Sequence, residues 1–302
     1  MNILITGANG QVGFELQRHF ALLGNVLAPD RATLDLADRQ AVEHYLEEHR
    51  PQLILNAAAY TAVDAAESEP EQAKRLNSKL PAQLAAYAAK HKVYLVHYST
   101  DYVYPGNGET PWQEQSPTQP LSVYGQTKCE GDEAVINSGC QQLIFRTSWV
   151  YAARGKNFLN TMLTLGKERD TLAVVNDQIG APTPARLIAL VTLQAWQQGI
   201  AHGVYHLAPR GVTSWHGFAS EIFEQAQGAG VSLAITPDNV HGIPTAQYPT
   251  PATRPLNSRL ALNKLETALG VSMPSWQTQL ALTLHEHLSA EAAYKHRKEV
   301  NQ

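Results

Sequence analysis

Two side chains with complementary chemistry, Tyr124 and Lys128, stand four positions apart. On a helix they would lie one turn apart and project from the same face. A tyrosine phenol ordinarily has a pKa of about 10, and a neighbouring ammonium group favours its ionised form. Such a tyrosine can donate and accept a proton near neutral pH, so the pair predicts acid–base chemistry. Because surface helices also show this spacing by chance, the surrounding sequence has to decide between the two interpretations.

A strand, a glycine-rich turn and a helix follow one another at the start of the chain. Residues 2–6 are apolar, three glycines spaced by three positions come next, and apolar residues then recur at helical spacing. This order is typical of dinucleotide-binding units, in which the glycines let the backbone approach a pyrophosphate at the helix N-terminus. The residues that we expect to hold a dinucleotide here are Gly7, Gly10, Gln11, Val12 and Gly13.

The adenosine end of such a cofactor would lie near the second predicted strand, residues 26–28. An acidic residue there can hold the ribose hydroxyls of NAD, and an arginine can accept the 2′-phosphate of NADP. Asp30 and Arg31 stand side by side, so the sequence leaves NADH and NADPH open. Asp35 and Leu36 are expected to continue this wall of the site.

Two more segments follow predicted strands, at the edge where open parallel sheets bind ligands. The strand 53–57 runs into small residues, which would let a cofactor lie against the backbone but would equally suit close helix packing. The strand 93–98 leads to Thr100 and Asp101, whose side chains could contact a substrate oxygen or cap the next turn. The residues that we predict to line the cofactor site from the first of these segments are Ala58, Ala59, Tyr60 and Thr61.

Strands and helices alternate without a break over about the first 150 residues, which predicts an α/β fold with a doubly wound parallel sheet of Rossmann type. Residues 172–175 are expected to add one more strand to that sheet. The second half has short strands predicted at 204–207 and 233–236, which indicate a smaller α+β C-terminal substrate domain. A proline-rich loop there places Arg254 where it could bind a substrate phosphate.

The chain is therefore divided into two predicted domains and a tail. The cofactor domain is 1–148, completed by about 171–198; the substrate domain is about 149–170 and 199–290; and 291–302 is a polar tail.

The composition excludes several classes of partner. A formal net charge of −4 gives no basic field for nucleic acid or an anionic membrane. No apolar run approaches the roughly 18 residues of a membrane span, and the first residues lack the basic start and apolar core of a secretion signal. The 2 cysteines have no metal-site spacing and fit a reducing compartment. We therefore predict a cytoplasmic protein without nucleic-acid or membrane partners.

Four motifs, taken in order, resemble those of the extended short-chain dehydrogenase/reductases. They are Gly7-x-x-Gly10-x-x-Gly13, Asn56-Ala57-Ala58-Ala59-Tyr60-Thr61, Ser99-Thr100-Asp101-Tyr102 and Tyr124-x-x-x-Lys128. Over essentially the whole chain, the sequence more closely resembles one family among them, the dTDP-4-dehydrorhamnose reductases. The segments of the second half that carry this resemblance are 146–151, 155–158, 177–183 and 254–258. Several separate motifs in the right order are far more specific than any one of them.

The resemblance implies reduction of the C4 keto group of a dTDP-4-keto-6-deoxy sugar by NADH or NADPH. Tyr124 would protonate the forming alkoxide, while Lys128 would bind the nicotinamide ribose and lower the pKa of Tyr124. Thr100 would hydrogen-bond the reacting oxygen. Asp101 and Trp149 would line the sugar-nucleotide site.

The resembled family is also associated with a magnesium-linked dimer that uses acidic side chains. Glu15 matches one of these acids, but Arg186 stands where a second acid would be expected. Because an arginine cannot ligate magnesium, the sequence argues against a metal site and leaves a homodimer open.

Other functions remain as alternatives. The chain could reduce another nucleotide sugar, or act as an epimerase or dehydratase of the same superfamily. Those last two reactions recycle the nicotinamide, so net consumption of NAD(P)H would exclude them. A non-catalytic, dinucleotide-binding regulatory subunit is a further alternative, which the intact set of Thr100, Tyr124 and Lys128 disfavours.

Overall fold

The computed structural model describes residues 1–300, except for the side chains of residues 295, 296, 299 and 300. The strands, in chain order, are β1 (Asn2–Thr6), β2 (Asn25–Leu27), β3 (Leu53–Asn56), β4 (Tyr94–Thr100), β5 (Gln141–Thr147), β6 (Val150–Tyr151), β7 (Leu172–Val175), β8 (Ile179–Gly180), β9 (Thr183–Pro184), β10 (Gly203–His206), β11 (Thr213–Ser214) and β12 (Val240–Ile243). The α-helices are α1 (Gln11–Phe20), α2 (Arg39–His49), α3 (Val63–Ala66), α4 (Pro70–Lys74), α5 (Leu80–His91), α6 (Val123–Asn137), α7 (Phe158–Glu168), α8 (Ala185–Gln198), α9 (Trp215–Gly228), α10 (Asn263–Leu269) and α11 (Trp276–Val300).

Six parallel strands form the main sheet, in the order β10-β5-β4-β3-β1-β2. Successive side chains of a strand point to opposite faces, and β1 shows the result. Ile3 and Ile5 pack in one core layer with α1 and α8, whereas Leu4 packs in the other layer with α2 and α5. The predicted doubly wound parallel sheet is confirmed, and the carboxyl ends of its strands meet at one edge.

Two strand predictions in the second half are wrong. Residues 172–175 do form a strand, but β7 pairs with β12 in a separate sheet, and β10 is the sixth strand of the main sheet, beside β5. The segment 233–236 is not a strand; the backbone N–H groups of Ala234 and Ile235 donate to Gly166 O instead. A short apolar run indicates that a segment is buried, but not which strand it will pair with.

A second apolar cluster lies outside the main sheet, built from α7, α9, α11 and the β7–β12 pair. Its centre is formed by Leu163, Phe218, Ile222 and Trp276. By contrast, α8 belongs to the main core, where it packs against α1. The strand β10 belongs to the main sheet, although the sequence analysis placed it in the substrate domain. The domain boundaries remain a prediction, with residues 203–206 moved to the cofactor side.

The C-terminal segment predicted as a polar tail continues α11, whose assigned range ends at Val300. Residues 301 and 302 of that tail lie outside the described residues. Among residues 1–300, no helix is both long and apolar enough to cross a membrane.

Candidate active site

The glycine turn between β1 and α1 is as tight as its sequence predicts. Gly7 has a φ of +68°, and a Cβ there would lie 2.7 Å from Ala58 N and 2.8 Å from Ala57 O. A Cβ on Gly13 would overlap Gly7 O, while Gly10 N donates to Gly7 O at 2.9 Å and closes the turn. Because glycine has no side chain, the backbone of the turn can pack this closely and stay exposed at its surface. A pyrophosphate could therefore approach it closely.

The N-terminus of α1 opens onto this turn. Gly10 is its N-cap and makes no side-chain capping hydrogen bond, so the first backbone N–H groups of the helix can bind an anion. Gln11 stands beside them and accepts a hydrogen bond from Asn157 Nδ2 at 3.1 Å, which links the turn to the start of α7. Val12 is half-buried against the main core. This geometry fits a dinucleotide.

The adenosine side of the predicted site follows β2. Asp30 Oδ1 accepts hydrogen bonds from both the backbone N and the Oγ1 of Thr33, each at 2.8 Å, and these bonds lower the pKa of the Asp30 carboxyl. Arg31 is exposed beside it. Asp35 Oδ1 accepts from Ala37 N at 3.0 Å, and Leu36 packs against the α2–α5 core layer. The Asp30 carboxylate and the Arg31 guanidinium both lie at the surface of this segment, where either could contact an adenosine ribose.

The segment after β3 divides between packing and the site. Ala58 is buried against Gly7, whereas Ala59 and Thr61 are partly or fully exposed. Tyr60 N donates to Asn77 Oδ1 at 2.8 Å, and its phenol donates to Glu69 Oε2 at 2.6 Å. The backbone of this segment therefore lines the turn, while the Tyr60 hydroxyl is held by α4's N-cap residue.

Tyr124 and Lys128 lie on α6 as predicted, one turn apart. Ser122 caps this helix by accepting from Gly125 N at 3.2 Å, which fixes Tyr124 in its first turn. Burial raises the pKa of Tyr124, and a hydrogen bond with Thr100 acts in the opposite direction. The net effect of the surroundings is to raise this pKa, so the predicted lowering of the Tyr124 pKa is wrong for the protein alone, where burial has the largest effect.

The position of the Lys128 ammonium explains that difference. Lys128 is only 1% exposed, and its Nζ donates to Tyr98 O of β4 at 2.6 Å. His97 Nε2 lies 3.4 Å from the same nitrogen. Burial lowers the pKa of Lys128 to about 8, and Asp132 acts against that shift. The ammonium is thus directed at the end of β4 rather than at the phenol of Tyr124.

Thr100 and Asp101 end β4 beside Tyr124. Thr100 Oγ1 donates to Asp101 Oδ1 at 3.1 Å and accepts from Tyr102 N at 3.2 Å, so the capping interpretation holds alongside any catalytic one. Burial raises the pKa of the Asp101 carboxyl to about 6, against hydrogen bonds from Ser258 and Thr100. Asp101 Oδ2 is buried and has no hydrogen bond of ordinary length among the described side chains, so the bond from Ser258 is a weak one.

Trp149 has a φ of +50°, unusual for a bulky residue. Its ring stacks on Trp215, with centroids 3.8 Å apart and planes 15° from parallel. A Cβ on Gly180 would lie 2.9 Å from Trp149 Cε2 and 3.0 Å from Ser258 Cβ, so these groups adjoin one another. Trp149 is therefore close to Ser258, and Ser258 in turn is a hydrogen-bond partner of Asp101.

Arg254 reaches the same edge from the proline-rich loop. Its Nη2 donates to Asp64 Oδ2 at 2.7 Å and its Nη1 to Tyr102 OH at 3.2 Å. The Tyr102 ring meets the Tyr124 ring edge-on, with centroids 5.5 Å apart. Tyr102 therefore contacts both Arg254 and Tyr124. The guanidinium of Arg254 is already paired with the carboxylate of Asp64.

Three contributors to this edge were missed by the sequence analysis: Asp64, Tyr102 and Trp215. Trp215 Nε1 donates to Gln178 Oε1 at 3.0 Å, so the Asp177-Gln178 motif could have pointed to a partner for its glutamine. Tyr102 directly follows the Asp101 that was identified. Asp64 lies 190 positions from Arg254, and no local pattern connects them.

Glu15, the one acid that the sequence analysis matched to a magnesium ligand, and Glu286, which the structure places near it through Arg18, do not fit that ion. Glu15 lies 3.3 Å from Arg18, and Glu286 pairs with Arg18 at 2.9 Å and with Arg186 at 3.2 Å. Both carboxylates are thus compensated by arginines, which repel a divalent cation. Across the described residues, no group of three or more acidic, histidine or cysteine side chains could hold a metal ion.

Comparisons with known proteins give the same assignment as the motifs. Residues 1–289 match the family model described as the RmlD substrate binding domain. The dTDP-4-dehydrorhamnose reductase of Shigella flexneri is 46% identical over 300 residues, which cover 97% of this chain and 100% of that protein. The chain belongs to the dTDP-4-dehydrorhamnose reductase family. The family predicted from the sequence motifs is therefore confirmed.

Solved structures of this family share the fold along its length. A dTDP-4-dehydrorhamnose reductase from Bacillus anthracis, in complex with NADP, has a TM-score of 0.87 and 33% identity, covering 94% of this chain and 99% of that one. The Clostridium acetobutylicum reductase has the same TM-score and 37% identity, with the same coverage. The UDP-glucose 4-epimerase of Thermotoga maritima, at 18% identity and a TM-score of 0.76, shares the fold alone.

Proposed function

We propose that this protein reduces the C4 keto group of dTDP-4-dehydro-L-rhamnose with NADPH or NADH, giving dTDP-L-rhamnose. One observation carries the proposal: in a chain that matches the reductase family along nearly its whole length, Thr100, Tyr124 and Lys128 stand together at the carboxyl edge of the sheet. The enzyme is an NAD(P)H-dependent oxidoreductase, and its dTDP-sugar is the small-molecule partner.

When bound, the reduced nicotinamide supplies the hydride that reaches the substrate carbonyl. The chain would hold the pyrophosphate on the backbone of Gly7, Gly10 and Gly13, whose missing side chains leave the necessary space. The first N–H groups of α1, at Gln11 and Val12, point to the same place. Asp30 and Arg31 would contact the adenosine ribose, with Asp35, Leu36 and the 58–61 segment completing the wall.

Tyr124 is the proton donor in this proposal. Its phenol stays protonated at neutral pH because burial raises its pKa, so it is ready to give its proton to a developing alkoxide. Thr100 lies beside Tyr124, and its hydroxyl would turn from Asp101 Oδ1 to donate to the same oxygen when the substrate is bound. Lys128 uses one donor on Tyr98 O, which leaves up to two N–H donors for the nicotinamide ribose.

The sugar nucleotide would lie between Asp101, the Trp149–Trp215 pair and Arg254. The weakly bonded Oδ2 of Asp101 can accept a hydrogen bond from a sugar hydroxyl. The stacked tryptophans offer an apolar face to a sugar ring or base. Arg254 carries a positive charge at the rim of this region and would meet the diphosphate.

The deciding experiment follows nicotinamide absorbance with purified protein and dTDP-4-dehydro-L-rhamnose, using NADPH and NADH separately. Stoichiometric oxidation supports the proposal and ranks the cofactors. Turnover of the sugar without net oxidation would indicate an epimerase or dehydratase. A protein that binds NADPH but turns over no keto sugar would be a regulatory subunit, which is the remaining alternative.

Replacing Arg31 with alanine is expected to weaken NADPH more than NADH. A charge-assisted bond to the 2′-phosphate contributes about 1.5–3 kcal/mol, so KM for NADPH should rise by about tenfold or more. KM for NADH should stay within about twofold, because its ribose hydroxyls carry no phosphate for Arg31 to bind. Steady-state kinetics with both cofactors measure the ratio, and Arg39→Ala, an exposed arginine on α2, is the matched control. An equal change in KM for both cofactors would show that Arg31 does not bind the 2′-phosphate of NADPH.

We also propose a cytoplasmic location and, if the protein forms a homodimer, one that needs no magnesium. The free cysteines Cys129 and Cys140 support the first proposal, and the arginine-compensated Glu15 and Glu286 support the second.

Removing divalent cations is therefore expected to change neither activity nor oligomeric state. Treatment with EDTA should leave kcat, the Tm and the elution volume in gel filtration unchanged, because Arg18 and Arg186 already neutralise the two carboxylates. Readdition of magnesium chloride, compared with sodium chloride at equal ionic strength, separates specific binding from screening. A smaller particle after EDTA that magnesium alone restores would contradict this prediction.

A further inference from the structure

A chain of buried polar side chains lies behind the Tyr124–Lys128 face of α6, and the reaction as described above makes no use of it. Its members are fully or almost fully buried, and they come from three neighbouring elements: His97 from β4, Asp132 from α6 and Arg146 from β5. Buried charges are costly unless they are paired, so each of these groups needs a reason to be there.

The two oxygens of the Asp132 carboxylate have different surroundings. Oδ2 accepts a hydrogen bond from Arg146 Nε at 3.0 Å. Oδ1 lies 3.7 Å from His97 Nε2 and has no hydrogen-bond partner among the described groups. A structural ion pair would be satisfied by Arg146 alone, whereas this carboxylate keeps one oxygen directed at the pocket of His97 and Lys128.

The hydrogen bonds of His97 show that it cannot balance the charge on Lys128. Burial lowers the pKa of His97 well below its ordinary value, so the ring is neutral. Thr6 Oγ1 donates to Asn56 Oδ1 at 2.7 Å, which turns the Asn56 amide nitrogen toward His97 Nδ1 at 3.0 Å. Nδ1 is then the acceptor, and the ring proton sits on Nε2, facing Asp132 and Lys128.

The charges that face Lys128 can therefore be named element by element. From β4 it meets Tyr98 O and the protonated Nε2 of neutral His97. From its own helix the charged group that acts on it is the carboxylate of Asp132, one turn further along. Arg146 of β5 lies behind that carboxylate. Asp132 is the group whose charge favours the ammonium form of Lys128 against burial.

We propose that Asp132 is a positioning residue that keeps Lys128 in its ammonium form at neutral pH, with Arg146 holding the carboxylate in place. This rests on the proposed function only in that the ammonium is the form of Lys128 that binds the cofactor ribose. A purely structural Asp132–Arg146 pair would join α6 to β5 and affect stability, but would leave the protonation of Lys128 unchanged.

The test reads the protonation of Lys128 directly. In ligand-free protein labelled with ¹³C-lysine, the Cε chemical shift of Lys128, assigned through Lys128→Met, is followed against pH. In the native protein the midpoint is expected at about 8. In Asp132→Asn it should fall by about 1–3 pH units, because a neighbouring opposite charge has been removed.

Control variants distinguish this effect from damage to the fold. Glu133→Gln removes the same charge from the next residue of α6, which is exposed, and should leave the midpoint unchanged. Asp132→Glu should restore it. Arg146→Met removes a positive charge behind Asp132 and should raise the midpoint. Shifts of opposite sign in Asp132→Asn and Arg146→Met cannot come from partial unfolding, which would affect both in the same direction.

The pH dependence of kcat/KM provides the second measurement. Activity that needs the ammonium is present below the pKa of Lys128 and lost above it, so the alkaline limb should move with the NMR midpoint in each variant. A folded Asp132→Asn protein with an unchanged midpoint overturns the inference, even if the enzyme is active. A shifted midpoint in a protein that reduces no dTDP-sugar supports the inference and overturns the proposed function instead.

Discussion

Replacing Tyr124 with phenylalanine is expected to lower kcat for the dTDP-sugar by about 10²–10⁴-fold, which is the usual contribution of a general acid. The substitution removes one hydroxyl from a half-buried ring and leaves the packing of the ring unchanged. Its hydrogen bond with Thr100 is lost as well, so the reacting oxygen would lose the proton donor but keep the Thr100 hydroxyl. The Kd for NADPH should rise by about tenfold at most, because the phenol contributes at most one neutral hydrogen bond, about 0.5–1.5 kcal/mol, to cofactor binding.

Tyr102→Phe is the matched control for this experiment. Tyr102 also presents a phenol at this edge, with its ring centroid 5.5 Å from that of Tyr124, but its hydroxyl accepts from Arg254 Nη1. We expect a fall in kcat/KM of about tenfold or less, carried mainly by KM, because the lost bond steadies a substrate-binding arginine. Single-turnover kinetics and fluorescence titration of NADPH separate the two variants. Equal losses of turnover and of cofactor binding in Tyr124→Phe would mean that Tyr124 supports the fold rather than the chemistry.

The parts of the site that the sequence predicted are those encoded by local spacing. The glycine turn depends on contacts within a few residues and on a strand just before it, and Gly7 and Gly13 have the steric environment that their motif predicts. Tyr124 and Lys128 also share a helical turn as expected. Short-range geometry of this kind follows from backbone periodicity, so a single sequence is enough to identify it.

The parts that the sequence could not predict depend on which distant segments meet. The stacking of Trp149 on Trp215 and the pairing of Arg254 with Asp64 join residues far apart in the chain, through loops without periodic patterns. The misplacement of β7 has the same origin, since four apolar residues can pair in any sheet that buries them. The direction of the Lys128 side chain was missed because it is set by Tyr98 O on another element.

The pKa of Tyr124 shows how this limit affects a chemical prediction. From spacing alone, an ammonium one helical turn away should lower the pKa of a phenol. In the folded protein burial has the larger effect, and the ammonium is hydrogen-bonded elsewhere, so the pKa of Tyr124 rises. A protonated phenol is what a reductase needs before the alkoxide forms, so the corrected direction suits the proposed proton transfer better than the predicted one.

Replacing Gly13 with alanine is expected to raise the Kd for NADPH by about tenfold or more, through the backbone of the turn. Two effects oppose each other: alanine stabilises a helix over glycine by about 1 kcal/mol, whereas overpacking a filled site costs about 1–3 kcal/mol. The second effect should dominate, because the new Cβ would overlap Gly7 O, a backbone atom that cannot rotate away. Relief requires the turn to move, and the turn is where the pyrophosphate would lie.

Gly10→Ala is the appropriate comparison for Gly13→Ala. Its Cβ would stand 3.2 Å from the same oxygen, and the φ of −72° at Gly10 suits alanine, so a shift of a few tenths of an ångström is enough. NADPH fluorescence titration should therefore show a much larger loss of affinity for Gly13→Ala than for Gly10→Ala, while urea unfolding reports what each change costs the fold. If Gly13→Ala bound NADPH like the native protein, the close approach of α1 to the turn would not be needed for the cofactor, and the pyrophosphate would have to lie elsewhere. A loss of affinity without a matching loss of stability would place the effect in the turn itself, because the helix is otherwise improved by the substitution.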